Sequence, residues 1–139
     1  MEDRLRGELP QLLAELTLFA THAGAIERGR ELWKGLSALH PAHAATRLLD
    51  GMLHTLAGSF EKAEASYRQI LDDDSEHVGA RTFLAESLIG QKRWREAEAV
   101  LVDVVASGDE DDPAVVYAGE LKGALEKGLF QRAVASASA

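Results

Sequence analysis

Phe60-Glu61-Lys62-Ala63-Glu64-Ala65-Ser66-Tyr67 returns, 34 residues later, as Trp94-Arg95-Glu96-Ala97-Glu98-Ala99-Val100-Leu101. It is preceded at the same interval by Ile26-Glu27-Arg28-Gly29-Arg30-Glu31-Leu32-Trp33. Each copy opens on a bulky apolar residue, passes through charged residues to a small one, and reaches an aromatic or large apolar residue four positions further on. Leu36, Ile70 and Val104 continue the register. A fixed period of this length signals stacked supersecondary units rather than one globular core. Stacked helix pairs usually bind other chains and seldom carry chemistry, so the period narrows function as well as fold.

Working outward from these phrases, helical spacing recurs along the chain. Pro10 suits a first helical position, where its missing donor costs nothing, and Leu12, Leu13, Leu16 and Phe19 follow at helical intervals until Ala23-Gly24. The pattern predicts helices over roughly 10–22, 25–39, 44–56, 60–71, 78–89 and 94–105. His40-Pro41, Asp72-Asp73-Asp74-Ser75 and the acidic run 107–112 separate the pairs. Pro113 opens a last helix with Val116, Leu121 and Leu125 as its stripe, extending to about residue 130. The Ala/Ser-rich residues 133–139 are expected to be a flexible tail. No segment shows sustained strand-type alternation.

Composition excludes several function classes. A formal net charge of −8 argues against phosphate backbones or anionic lipid surfaces as main partners. No cysteine is present, so neither a disulfide framework nor a thiolate site is available, and a reducing compartment fits. The stretch Met1 to Arg6 mixes both charge signs and leads into no apolar h-region, and no apolar run approaches a membrane span. The expectation is a cytoplasmic protein that touches neither nucleic acid nor membrane.

The repeated phrase resembles the tetratricopeptide repeat family, whose unit is two antiparallel helices in 34 residues. The resemblance covers residues 10–111, in register as 10–43, 44–77 and 78–111. It implies an all-α, right-handed superhelix of three helix-turn-helix repeats, with a C-terminal capping helix over 113–130, in a single domain over 1–132. The helices of a unit cross closely, so small residues are wanted at the crossing. Gly51 and Ala85 supply them on the first helices, and Gly29, Ala63 and Ala97 on the second. Gly24 and Gly58 fit the tight turns inside a pair. Several positions depart from the family phrase: Thr17 for a small residue, Asp50 for a leucine, His54 for an aromatic, and Lys92 for the turn glycine.

In this family the first helices line a concave groove. The resemblance therefore implies a partner-binding surface made by Leu18, Leu48, Met52, Phe83, Glu86 and Tyr117, largely apolar. Members that grip acidic C-terminal tails use a clamp of Lys, Arg and Asn. Here the equivalent positions are Gln11, Ala14, Leu18, Leu48, Met52, Thr82 and Glu86, so terminal carboxylates are poor ligands. An apolar groove suits an extended or helical peptide with apolar anchors.

A looser resemblance joins the chain to the small chaperones of bacterial type III secretion. It rests on Trp33-Lys34-Gly35-Leu36-Ser37-Ala38-Leu39-His40-Pro41 and on Phe83-Leu84-Ala85-Glu86-Ser87-Leu88-Ile89. It implies a secreted or secretion-apparatus subunit as partner. The alternative is a structural scaffold that self-associates, as a homodimer or within a larger assembly, with Trp94 and Phe130 as contacts.

Other constellations carry little. His40 and His43 lie three apart, but Pro41 interrupts the helix and no further ligand completes a metal site. They read as solvated loop histidines. The runs 72–74 and 109–112 lack the alternating ligands, central glycine and closing glutamate of a calcium loop; Asp111-Asp112 before Pro113 reads as a helix cap. No phosphate-cradling glycine loop and no nucleophile context appears. The expectation is a protein without catalytic residues, cofactor or metal.

Overall fold

The computed structural model describes residues 26–138, so the helix expected over 10–22, with Leu18, lies outside the described residues. Seven helices follow one another there: α1 Ile26–Leu39, α2 Ala44–Leu56, α3 Phe60–Asp73, α4 Val78–Gly90, α5 Trp94–Ser107, α6 Pro113–Glu126 and α7 Leu129–Ser138. The described residues contain no strand, and none of their helices is long and apolar enough to cross a membrane. The all-α repeat expected from the 34-residue phrase is what is found.

The period reaches the backbone. The starts of α1, α3 and α5 stand 34 apart, as do those of α2 and α4. The two described turns inside a pair show why. Ala57 and Gly58 donate to Leu53 O and Thr55 O, and Ser59 reaches back to His54 O. One repeat later Gln91, Lys92 and Arg93 donate to Ser87, Ile89 and Leu88 in the same order. Both turns need a left-handed residue to return the chain to the last helical carbonyls. Gly58 supplies it with φ 77° and Lys92 with φ 62°. The departure at Lys92 therefore changes the residue and keeps the turn.

The breaks between pairs recur too, 34 and then 35 residues apart. His43 N donates to His40 O, His77 N to Asp74 O, and Asp112 N to Asp109 O. Each donor then caps the next helix through its side chain. His43 Nδ1 accepts from Ala45 N at 3.0 Å, and His77 Nδ1 from Ala80 N at 3.0 Å. Asp112 Oδ1 accepts from Ala114 N at 2.8 Å, with Pro113 in the first helical turn. His43, read above as a solvated loop residue, thus satisfies one of the helix's orphan donors. In the acidic runs, Asp74 Oδ1 accepts from Glu76 N and Asp109 Oδ1 from Asp111 N. Local side-chain bonds of this kind compete with helix and hold turns.

The last helix differs from expectation. It is read above as continuous over 113–130, but α6 stops at Glu126 and Gly128 adopts φ 69°. The chain re-enters α7 at once, and α7 takes in most of the segment 133–139 expected to be flexible. Alanine is the strongest helix former, and Phe130 and Val134, four apart on one face, are both half-buried.

The chain divides into two compact units, between Ile70 and Leu71. In the first unit Leu36, Leu49 and Leu53 form a buried cluster against Trp33 and Ala45. Fully buried Ala63 and Tyr67 come from α3. A Cβ on Gly51 would lie 2.7 Å from Tyr67 Cζ, so only glycine lets α2 and α3 approach this closely. In the second unit Ala80, Ala85 and Leu88 of α4, Ala97, Leu101 and Val104 of α5, and Ala118 and Leu121 of α6 make the core. Burying each leucine contributes roughly 1.5–3 kcal/mol.

Candidate functional site

Three of the expected surface residues meet in the second unit. Phe83 and Glu86 lie one turn apart on α4, so they share a face. Thr82, fully buried, donates its hydroxyl to Ala114 O at 3.2 Å and pins α4 to the first turn of α6. That contact brings Tyr117, one turn further along α6, against the α4 pair. The Phe83 and Tyr117 ring centroids are 6.1 Å apart with the planes inclined by 44°. This is the offset, tilted arrangement that aromatic quadrupoles favour. The Tyr117 hydroxyl donates to Glu86 Oε2. All three side chains are half-buried. The result is a preorganised patch of two rings and one carboxylate with part of its surface still in water.

The first unit places its expected residues differently. Leu48 is half-buried, whereas Met52 is 6% exposed and lies in the core. The repeat positions explain part of this. Leu48 corresponds to buried Thr82, and Met52 to half-buried Glu86. Equivalent first-helix positions are therefore not equally open in the two units.

The departures at Asp50 and His54 belong to one small cluster. Asp50 Oδ2 accepts from Ser66 Oγ at 2.8 Å, and His54 Nε2 lies 3.5 Å from Asp50 Oδ1. One repeat on, positions 50 and 66 are Leu84 and Val100. A polar link thus stands in unit one where unit two has an apolar pair. The carboxylate, rather than the imidazole, holds the serine hydroxyl. This is the reverse of a nucleophile-and-base order. Among the described residues no three His, Cys, Asp or Glu side chains group as metal ligands.

Sequence reasoning missed the caps at His43 and His77, whose signal was present in their 34-residue spacing. It also missed the anchoring role of Thr82. That role has no sequence signal, because its acceptor is a backbone carbonyl 32 positions away.

A family model described as Tetratricopeptide repeat matches residues 54–125. That match runs from the end of α2 through α6, and so includes Phe83, Glu86 and Tyr117. Neither the search of curated proteins nor that of solved structures finds a match for this chain. With paired helices at a 34-residue period, glycine or alanine at their crossings, and a family match over more than half its length, the chain belongs to the tetratricopeptide repeat family.

Proposed function

We propose that this chain is a non-enzymatic binding module that holds a partner peptide or helix against its first-helix residues. Its most concrete form is a cytoplasmic chaperone or adaptor of bacterial type III protein secretion. Tetratricopeptide repeats generally mediate protein–protein interaction. The observation that carries the reading to a site is the half-buried patch in which α4 and α6 bring Phe83, Glu86 and Tyr117 together. Aromatic side chains in such patches supply much of the energy of protein recognition. The secretion role rests on the phrases 33–41 and 83–89 quoted above.

The test is co-purification from the native cell with identification of the bound chain, repeated with Leu48→Gln and Phe83→Ser. Both variants should keep wild-type helicity by circular dichroism and lose at least about tenfold in partner recovery, as loss of an apolar anchor implies. Undiminished recovery would move the site off the first helices. A partner unrelated to protein secretion would sink the chaperone role while leaving the binding module intact.

A second reading has its own support. Val102 and Val105 on α5 are 43% and 38% exposed, and Val116 on α6 is 51% exposed. Exposed valines on α5 and α6 offer apolar surface to a scaffold that self-associates. Trp94 and Phe130, expected as contacts, are half-buried.

A further inference from the structure

We infer that the outward stripe of α5 docks a basic amphipathic helix of a partner protein, separately from the first-helix site. Ala97, Leu101 and Val104 turn one side of α5 into the core and are fully buried. On the other side Ala99, Val102, Val105 and Ala106 are all exposed, at the three- and four-residue intervals that place them on one face. The repeat marks this stripe as unusual. Position 102 corresponds to Lys34 in α1 and Arg68 in α3, both exposed. An outer position that is charged in α1 and α3 is thus an exposed valine in α5.

The shape of the stripe fits a helix. Ala99, Val102 and Ala106 follow the spacing of a coiled-coil seam, and small residues beside a valine let a second helix come close. The charge fits a basic helix. In that register Glu98 and Asp103 flank the seam on its two sides, and both are exposed. Among the described residues neither has an ion-pair partner, whereas Glu96 is matched by Arg93 at 2.6 Å. Arg95 stands at the head of the stripe, before the first alanine. Residues 71–139, one compact unit, hold 14 acidic and 7 basic side chains, a net charge of −7 out of the chain's −8. Such a field steers a basic segment toward this unit. A second copy is the poorer occupant. With acids on both flanks, pairing α5 with α5 sets Glu98 and Asp103 against carboxylates in either orientation.

The experiment titrates two labelled helical peptides with the full chain and reads fluorescence anisotropy. Both carry leucine at the seam positions of each heptad; one has lysine on the flanks and the other glutamate. The lysine peptide should bind and the glutamate peptide should not. Val102→Ser with Val105→Ser should keep wild-type helicity and weaken binding about tenfold, as loss of apolar anchors implies. Glu98→Gln with Asp103→Asn should weaken it several-fold and flatten its salt dependence. Asp72→Asn with Glu120→Gln removes the same charge away from α5 and should leave binding as in wild type. Phe83→Ser should also bind as wild type, so the first-helix site and this stripe read out separately. No binding of the lysine peptide, or equal binding of both peptides, would overturn the inference. So would a loss as large in the Asp72/Glu120 or Phe83 variants. A wild-type dimer broken by Val102→Lys would make a second copy the occupant and overturn it as well.

Discussion

A single backbone angle ties the smallest scale to the repeat. Lys92 sits at the position where Gly58 makes the same turn one repeat earlier, and both are left-handed. An L side chain there carries a steric cost of roughly 1–2 kcal/mol relative to glycine's freedom. Glycine returns part of this as unfolded-state entropy. Lys92→Gly should therefore raise stability by about 0.5–1 kcal/mol, read as a shifted urea midpoint at unchanged slope. A lower midpoint would show that the lysine side chain contributes more than its backbone costs. At the same scale, Asp50 departs from the family phrase, where a leucine is usual. Its hydrogen-bond partner is Ser66, sixteen positions away on the facing helix. Sequence periodicity lists each position separately and does not pair them across an interface.

At the scale of elements, two helical glycines have opposite meanings that composition does not separate. Gly51 faces Tyr67, and a Cβ there would be inside van der Waals contact. Gly51→Ala should destabilise by about 1–3 kcal/mol through overpacking. Gly123 in α6 has nothing within 4 Å of where a Cβ would stand. Gly123→Ala should instead stabilise by about 0.5–1 kcal/mol, since glycine inside a helix is costly. Thermal melts of the two variants should move in opposite directions; shifts of the same sign would refute the close crossing of α2 and α3. The existence and phase of α1 to α5 were legible because apolar spacing and the breaks between helices repeat. The split of the last helix was not. Gly128 ends α6 by taking a left-handed angle, and inside an apolar pattern a glycine reads equally well as a tolerated interior residue.

At the scale of the whole molecule, the question is whether the chain acts alone. The exposed valines Val102, Val105 and Val116 predict self-association on the scaffold reading. Light scattering at micromolar concentration should then report a dimer or larger species, lost on Val102→Lys with Val105→Lys. A monomer throughout would leave groove binding as the better reading. The candidate patch was legible in part. Phe83, Glu86 and Tyr117 were picked from first-helix register, yet the same register placed Met52 on the surface, and it is buried. Register assigns a helix face, but burial depends on which neighbours cover that face.

By itself the sequence determined the helical class, the 34-residue period and the family. Helical spacing and breaks act within one or two turns of a residue, and their recurrence along the chain needs no knowledge of packing. Tertiary structure alone decided that Thr82 would lock α4 to α6. It also decided that Tyr117 would meet Phe83 and Glu86, and that Asp50 would find Ser66. Those contacts join residues 16 to 34 positions apart, and only packing of one helix on another brings such partners within hydrogen-bonding or ring-contact distance.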